Sequence, residues 1–513
     1  MVNPLSEGEG TRKHDFADRV PLIVNDLDNA PVEKKLKLFK TRDSISEFLD
    51  TGMTAHETSA DSFSHVSATM DKRQRFDFVI GNPPYIGYNE CAKQGFEFVK
   101  RIQDKKDASI TMGNVFGVNL HTVPGMPKPY APKPNLYAFF IALGLALLKE
   151  NGKLCFVIPQ TLLTAGDMDV MRYHLAKHTS IDKMITFGGN LFIDRGVDAR
   201  KPIRTSSLII IVTKKEPKTN HRVKVVNFVD NTKEKKVSLQ TLLNSRKKMV
   251  SSIPQSELAK TVENWNFIKY DKTVLQWLKK YNELNLSIEE YRRNSLSDYN
   301  EMQFDKGLVF DKKKISTDFS DWLLPHKMKN CFRIGTKNDS IATKYIRIPQ
   351  GSQGLKIFDN KYKIIWRYMN PDRFYYSDER IMIDFNWVII SSENKLETLF
   401  LFSVLNSKLS HYILGLYLKN AHEKAFQVGI KSIKKYIRIP LITAGNRKMK
   451  DKIIALTESM LALESVMPCD IDFDERDAIK RVIDDLVFAL YFDIPVKDVA
   501  KHEFYDYVSR STG

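Results

Sequence analysis

FDFVIGNPPYIG, residues Phe76 to Gly87, joins an apolar run to an abrupt stop. Phe76, Phe78, Val79 and Ile80 have the density of a buried parallel strand. Gly81 and the pair Pro83-Pro84 end it, because proline donates nothing to a sheet ladder and fixes its own φ. Asn82 and Tyr85 are thereby presented at a strand's carboxyl end, the edge at which open α/β sheets bind ligands.

Outward from this corner, strand and helix signals alternate. Residues 21–26 read as a short strand ending in acid, 31–39 as the helix after it, and 43–48 as a turn-containing edge. A Ser/Thr/His-rich stretch over 51–70 reads as a surface insertion, and the Gly- and Pro-rich 110–134 as a loop that orders on binding. Residues 135–148 have the length and apolar density of a buried helix, which Gly152 closes as a left-handed cap. Strands follow at 153–158, 184–187 and 206–212. The rhythm predicts an α/β domain over residues 1–250, a doubly wound parallel sheet covered on both faces.

The second half changes character. Over 265–442 strands, basic residues and aromatics interleave without a βαβ rhythm, as in Lys361-Tyr-Lys-Ile-Ile-Trp-Arg-Tyr368 and Pro371-Asp-Arg-Phe-Tyr-Tyr376. Helical signal returns at 396–418. Alternating cations and rings suit a surface that grips phosphates and packs on bases, with Lys361, Lys363, Arg367 and Arg373 as candidate contacts. The competing account is an edge strand protected by lysine and held by core aromatics. Residues 443–513 carry two amphipathic segments, with Ile453, Leu456, Met460 and Leu463 on one and Ile479, Val482, Ile483, Leu486, Val487 and Leu490 on the next. They read as a helical hairpin packed on the preceding domain or, alternatively, as a dimer interface.

At 513 residues, with 79 Lys plus Arg against 62 Asp plus Glu and a net charge of +17, the chain is long enough for two or three domains and suited to a polyanionic partner. No stretch approaches the roughly 20 consecutive apolar residues of a spanning helix. Met1-Val2-Asn3-Pro4 lacks a signal-peptide core, so a cytoplasmic protein is expected. Cys91, Cys155, Cys331 and Cys469 are far apart and make no metal-ligand spacing; inert thiols and no metal site are expected.

The chemistry suited to the tetrapeptide is methylation of an exocyclic amine. Such an amine is a poor nucleophile, because its lone pair is delocalised into the ring. The Asn82 side-chain oxygen and the Pro83 carbonyl can each accept one of its N–H groups and draw the nitrogen toward tetrahedral geometry. The prolines stiffen the backbone that aims these acceptors, and Tyr85 offers a face for stacking. An already activated methyl donor requires no strong base, which fits an amide at this position.

Asn82-Pro83-Pro84-Tyr85 resembles motif IV of the amino-methyltransferases, in particular the gamma group of N6-adenine site-specific DNA methyltransferases of type II and IIG restriction-modification systems. The resemblance implies a Rossmann-like domain dependent on S-adenosylmethionine, followed by a target-recognition domain for double-stranded DNA. By the same resemblance, Asn3 to Gly10 looks like a motif I loop, with Asn3, Gly8 and Gly10 against the methionine part of the cofactor. Asp26 or Asp28 is similar to the motif II acid that takes the ribose hydroxyls, a helix N-cap being the rival account. Asp43 is similar to the motif III acid, and Asn82 itself joins the cofactor set. Asn135-Leu136-Tyr137 matches motif V. Asn190-Leu191-Phe192 resembles motif VIII, which makes Phe192 either a stacking partner opposite Tyr85 or a core residue. Ser403 to Leu409, the exit at Ile437 to Pro440 and the helix ending at Tyr491 look like a Taq-methylase type of specificity domain. That family carries a helical segment before motif I. Here the chain starts at or inside the motif, so either it is truncated or a partner chain supplies the missing wall.

The implied reaction takes an adenine out of the duplex and methylates its N6. Rival readings are a protein glutamine methyltransferase, an RNA adenine methyltransferase, and a non-catalytic or partner-dependent DNA-binding subunit. A methylase-nuclease is the last, with Asp372 and Glu393-Asn394-Lys395 as its metal-binding pair. Ser391-Ser392 before Glu393 suggests a helix start and weighs against it.

Overall fold

The structure, a computed structural model, describes residues 22–25, 75–93, 111–127, 131–187, 206–228, 248–294, 302–311, 323–326, 330–337, 345–347, 356–419, 426–465 and 473–511. The chain divides into two compact units that meet in sequence at Lys269 and Tyr270. Residues 443–513 group with the second unit.

Among the described residues the first unit is built on seven strands: β1 (Leu22–Asn25), β2 (Phe76–Gly81), β3 (Leu148–Pro159), β4 (Ser180–Phe187), β5 (Ser207–Thr213), β6 (Arg222–Phe228) and β7 (Lys248–Pro254). Their spatial order is β1-β2-β3-β5-β4-β6-β7. β2, β3, β4 and β6 share one direction, and β1, β5 and β7 oppose them. The sheet is therefore mixed, where the strand and helix rhythm had pointed to a parallel one; hydropathy records burial and not direction. β5, Ser-Leu-Ile-Ile-Ile-Val-Thr, is β-branched and apolar because it pairs on both flanks, Pro159 standing opposite Ser207 and Thr186 opposite Leu208. β1 is antiparallel to β2, so its carboxyl end, Asn25, lies opposite Phe78 and not at the Asn82 end.

Helix α1 (Leu136–Leu147) is buried along all of its length, which is why it is apolar all round. Gly144 lets it close on the sheet: a Cβ there would lie 2.5 Å from Leu154 Cδ1 and 3.1 Å from Phe156 Cζ. The left-handed residue after α1 is Asn151 (φ 65°), not Gly152 as expected. Gly152 is small for a different reason, since a Cβ would meet Lys149 O at 2.9 Å and Phe76 O at 3.0 Å. β2 is also less enclosed than expected: Phe76 and Val79 are buried, but Phe78 and Ile80 are 39% and 37% exposed. α1 covers one face of the strand only. Residues 111–127 form a series of tight turns, with Gly117 (φ 80°) and Gly125 (φ 78°) in left-handed conformations. Val115, Val118, Leu120 and Val123 of this stretch lie in the core, so it is packed structure and not a loop awaiting a ligand.

Helix α2 (Asp169–His178) carries Arg172, a fully buried guanidinium that donates to the carbonyls of Leu162 (2.6 Å), Glu263 (2.8 Å) and Val262. It ties the segment after α3 (Gln255–Lys260) to the rest of the unit.

The second unit contains a four-stranded antiparallel sheet of β8 (Gln303–Lys306), β9 (Tyr362–Arg367), β10 (Tyr375–Ser377) and β11 (Trp387–Ser392), in the order β10-β9-β11-β8. Ile364, Trp366, Tyr376 and Ile390 pack into a large core on one face, and Ile365, Tyr375 and Ile389 into a smaller one on the other. Helices α4 (Lys272–Leu284), α5 (Lys395–Asn406), α6 (Lys408–Leu418), α7 (Arg447–Leu463), α8 (Phe473–Phe492) and α9 (Glu503–Ser511) complete it. α7 and α8 bury Ile453, Met460, Ile483, Leu486 and Val487 in the large core, whereas Val482 is 42% exposed. Asn406 and Ser407 mark the break between α5 and α6. Asn406 accepts from Phe374 N–H (3.1 Å) and donates to Phe374 O (3.0 Å), standing in for a strand partner, and Ser407 caps α6 by accepting from Ser410 N–H (3.1 Å). Among the described residues no single helix is long and apolar enough to cross a membrane.

Candidate active site

Because β2, β3 and β4 run the same way, their carboxyl ends finish on one edge of the sheet, where β5 begins. Asn82 follows Gly81 at that edge. Its side-chain oxygen is buried and accepts no hydrogen bond among the described residues. Buried acceptors are nearly always paired, and leaving one bare costs about 1–3 kcal/mol. The Asn82 oxygen is thus an acceptor left open at a strand-end corner. Pro83 is buried, and Pro84 and Tyr85 are partly so. The chain then turns at Ile86, whose carbonyl accepts from Leu136 N–H (3.0 Å) at the start of α1. The Asn135-Leu136-Tyr137 segment is thus brought against the corner, and the Tyr137 hydroxyl hydrogen-bonds Thr161 Oγ1 (2.9 Å) in the segment after β3.

Burial pushes the Tyr85 hydroxyl up to about 12. The ring remains a neutral phenol across the physiological range. Burial likewise pushes the Cys91 thiol up to about 12 and that of Cys155 upward, in keeping with inert thiols. No group of His, Cys, Asp and Glu among the described residues is arranged to hold a metal ion.

Two residues of this edge were not singled out from the sequence. Gln160 is completely buried. Its backbone N–H donates to Ser206 O (2.8 Å), its Nε2 donates to Phe187 O and Ser207 O (both 3.0 Å), and its Oε1 accepts from Lys269 Nζ (3.3 Å). It joins the ends of β3, β4 and β5. Ser207 is also completely buried. The available signal was a polar residue directly after an apolar strand in Val157-Ile-Pro-Gln160, the same grammar as Ile80-Gly-Asn82.

The basic residues named as DNA contacts divide in the second unit. Lys361 and Arg367 are exposed, the latter with its guanidinium 5.2 Å from the Trp387 ring. Arg373 is partly buried, donating to Cys331 O (3.1 Å) and lying over the Phe332 ring at 4.9 Å. Lys363 is 2% exposed, and its ammonium donates to the carbonyls of Asn360 (2.6 Å), Glu379 (3.1 Å) and Lys361 (3.4 Å). Burial lowers it to about 8. That placement takes Lys363 off the surface expected for it. Phe374, Tyr375, Tyr376 and Trp366 are core residues, because the sheet that carries them is covered on both faces. Glu393 accepts from Lys361 N–H (2.8 Å), Asn394 caps α5 by accepting from Glu397 N–H (3.1 Å), and Lys395 pairs with Glu458, so the Glu-x-Lys pattern is a helix start. Asn3, Gly8, Gly10, Asp26, Asp28, Asp43, Phe192 and Cys469 lie outside the described residues.

Residues 19–193 match the Eco57I restriction-modification methylases, and this corner falls inside the match. The match takes in about a third of the chain. A protein of Methanocaldococcus jannaschii named as a type II restriction enzyme and methyltransferase is 21% identical over 449 residues, which cover 82% of this chain and 31% of that protein. The type II methyltransferase M.TthHB8I of Thermus thermophilus is 29% identical over 126 residues, 25% of each chain. The chain thus spans less than a third of the length of the curated relatives it matches. Among solved structures, the type IIL restriction-modification enzyme MmeI in complex with DNA is similar over 85% of this chain and 57% of that one, at 13% identity and a TM-score of 0.45.

Proposed function

We propose that the chain transfers a methyl group from S-adenosylmethionine to N6 of an adenine extruded from double-stranded DNA, within a restriction-modification or defence system. The observation that carries this reading is the orphaned, buried Asn82 oxygen at the carboxyl edge of the sheet. An exocyclic amine is the donor such an acceptor lacks, with the Pro83 carbonyl as the acceptor for its second N–H. Strand directions and order support reading the first unit as a doubly wound, Rossmann-like methyltransferase sheet with β5 inserted antiparallel.

S-adenosylmethionine supplies an activated methyl when bound, and Asn3, Gly8, Gly10, Asp26, Asp28 and Asp43 are the residues proposed to hold it, with Asn82 at the boundary between cofactor and base. Rotating the adenine out of the stack costs a few kcal/mol. Stacking on Tyr85, and on Phe192 from the opposite face, offsets about 1–3 kcal/mol per contact. Asn82 and Pro83 then fix the amine for in-line attack, so catalysis rests on positioning and directed hydrogen bonds. Lys361, Arg367 and Arg373 are proposed to hold the phosphate backbone, and residues 265–442 to select the site.

Asn82→Ala, in the full chain with any co-purifying partner, is expected to lower methyl transfer to unmethylated DNA by at least about 100-fold at unchanged thermal stability. Transfer within a few-fold of the parent would overturn the assignment. Parallel assays on RNA and on protein, each expected to be negative, separate the rival substrates.

A further inference from the structure

At one end of the four-stranded sheet in the second unit, cations are held by rings instead of by carboxylates. β8 and β9 finish there and β11 starts, with Lys306 opposite Val388 and Arg367 opposite Trp387. Lys306 Nζ lies 4.0 Å from the centre of the Tyr368 ring, and the Arg367 guanidinium 5.2 Å from that of Trp387. Both cationic side chains are exposed, and neither makes an ion pair among the described residues. The acids of the same turns are engaged by the backbone: Asp384 accepts from Asn386 N–H (2.9 Å) and Asp305 from Lys306 N–H (2.7 Å). A cation resting on a ring keeps its full charge and its N–H donors for an anion that arrives from outside.

The same end carries two apolar side chains into solvent. Beyond the Arg367 and Trp387 pair the strands stay joined for one more step, Tyr368 N–H donating to Asn386 O (2.8 Å), and the next residues, Met369 and Phe385, are 43% and 55% exposed. Trp387 N–H donates to Asp384 O (3.0 Å), so Phe385 and Asn386 form the tip of a tight turn. Residues 426–428 brace the neighbouring strand end: Val428 N–H donates to Tyr368 O and Asn370 N–H to Phe426 O (both 2.9 Å), and the Tyr368 hydroxyl donates to Gln427 Oε1 (2.9 Å). Lys419 adds a third cation over a ring, 4.8 Å from that of Phe426. Protein-docking surfaces are depleted of lysine at their apolar centre. Here single apolar side chains project from a cationic rim, the combination that presses between stacked bases while the flanking charges hold phosphates. We infer that this end of the sheet is a contact surface for duplex DNA, in which Phe385, supported by Met369, packs on the bases of a step it loosens, and Lys306 joins Arg367 in holding the flanking phosphates.

The inference rests on the reading of double-stranded DNA as the substrate, and its test separates the two. The full chain is titrated, without methyl donor, against a fluorescein-labelled duplex of mixed sequence at several salt concentrations. Phe385→Ala is expected to weaken binding about tenfold and to leave the slope of log affinity against log salt as it is, because a stacking contact releases no counterion. Lys306→Gln is expected to make that slope shallower by about 0.9, the value for one phosphate. Phe385→Trp is expected to keep the parent affinity, and its added indole to be quenched by the duplex beyond the change shown by the parent's own tryptophans. All three side chains are changed at exposed positions, so the thermal midpoint is expected to stay where it is.

Duplex binding that Phe385→Ala leaves unchanged, or an added indole that the duplex does not quench, overturns the inference even if the chain methylates DNA. Tighter binding of the parent to vesicles of anionic lipid than to the duplex overturns it as well. If affinity and quenching depend on position 385 as expected but the parent transfers no methyl to DNA, the contact surface stands and the methyl-transfer reading fails.

Discussion

Single residues in this protein are informative where their bonding departs from what burial demands. Asn82 leaves an acceptor bare in the interior, while Lys363, two residues beyond an exposed lysine, directs its ammonium at three carbonyls. His411 on α6 is a third case. Burial, then the nearby Lys480, Lys419 and Arg373, lowers its imidazole to about 4 from a usual value near 6.5. Since the folded state holds the proton less readily than the unfolded chain, the native state loses nothing above pH 6.5 and is destabilised as pH falls toward 4. The loss at the acid end is at most about 3 kcal/mol. Denaturant unfolding between pH 7 and 4.5 is expected to show a shallower decline in His411→Gln than in the parent; parallel curves would place the acid sensitivity elsewhere.

At the level of elements, the strand leading to Asn82, the buried α1 and the helices α7 and α8 were legible because each has one dominant apolar period or run. The direction of β5 was not, since an all-apolar strand reads the same whether it runs with or against its neighbours. The interleaved cations and rings of β9 and β10 suggested a surface. A strand with a core on each face also needs rings at successive positions, so periodicity cannot separate the two, and the rings of Trp366, Tyr375 and Tyr376 turned out to be inside. Gln160 and Ser207 were missed because a single polar residue beside a strand is ordinary in sequence; only the convergence of three strand ends gives it meaning. The α1–β3 contact makes a sharp prediction of its own. Gly144→Val is expected to destabilise the first unit by about 1–3 kcal/mol, because Leu154 and Phe156 leave no room for a branched side chain. The measurement is the change in denaturation midpoint; a midpoint equal to the parent's would mean that helix and sheet are less tightly apposed.

On the scale of the whole molecule, the net charge of +17 sets the physics of any nucleic-acid encounter. Affinity for duplex DNA is expected to fall by about tenfold or more between 50 and 200 mM salt, with a linear log–log dependence from released counterions. Titration by fluorescence anisotropy measures this, and a flat response would argue for an uncharged target. The sheet imposes a different condition, one of timing. β5 is made after both β3 and β4, yet it occupies the space between them. A nascent chain stalled before Ser207 therefore carries two strands whose inward flanks have no pairing partner, and such open flanks invite association with other chains. The corner that holds Asn82 cannot acquire its final walls until synthesis has passed Thr213. Any amino-terminal fragment ending short of that residue is expected to depend on chaperones or to precipitate.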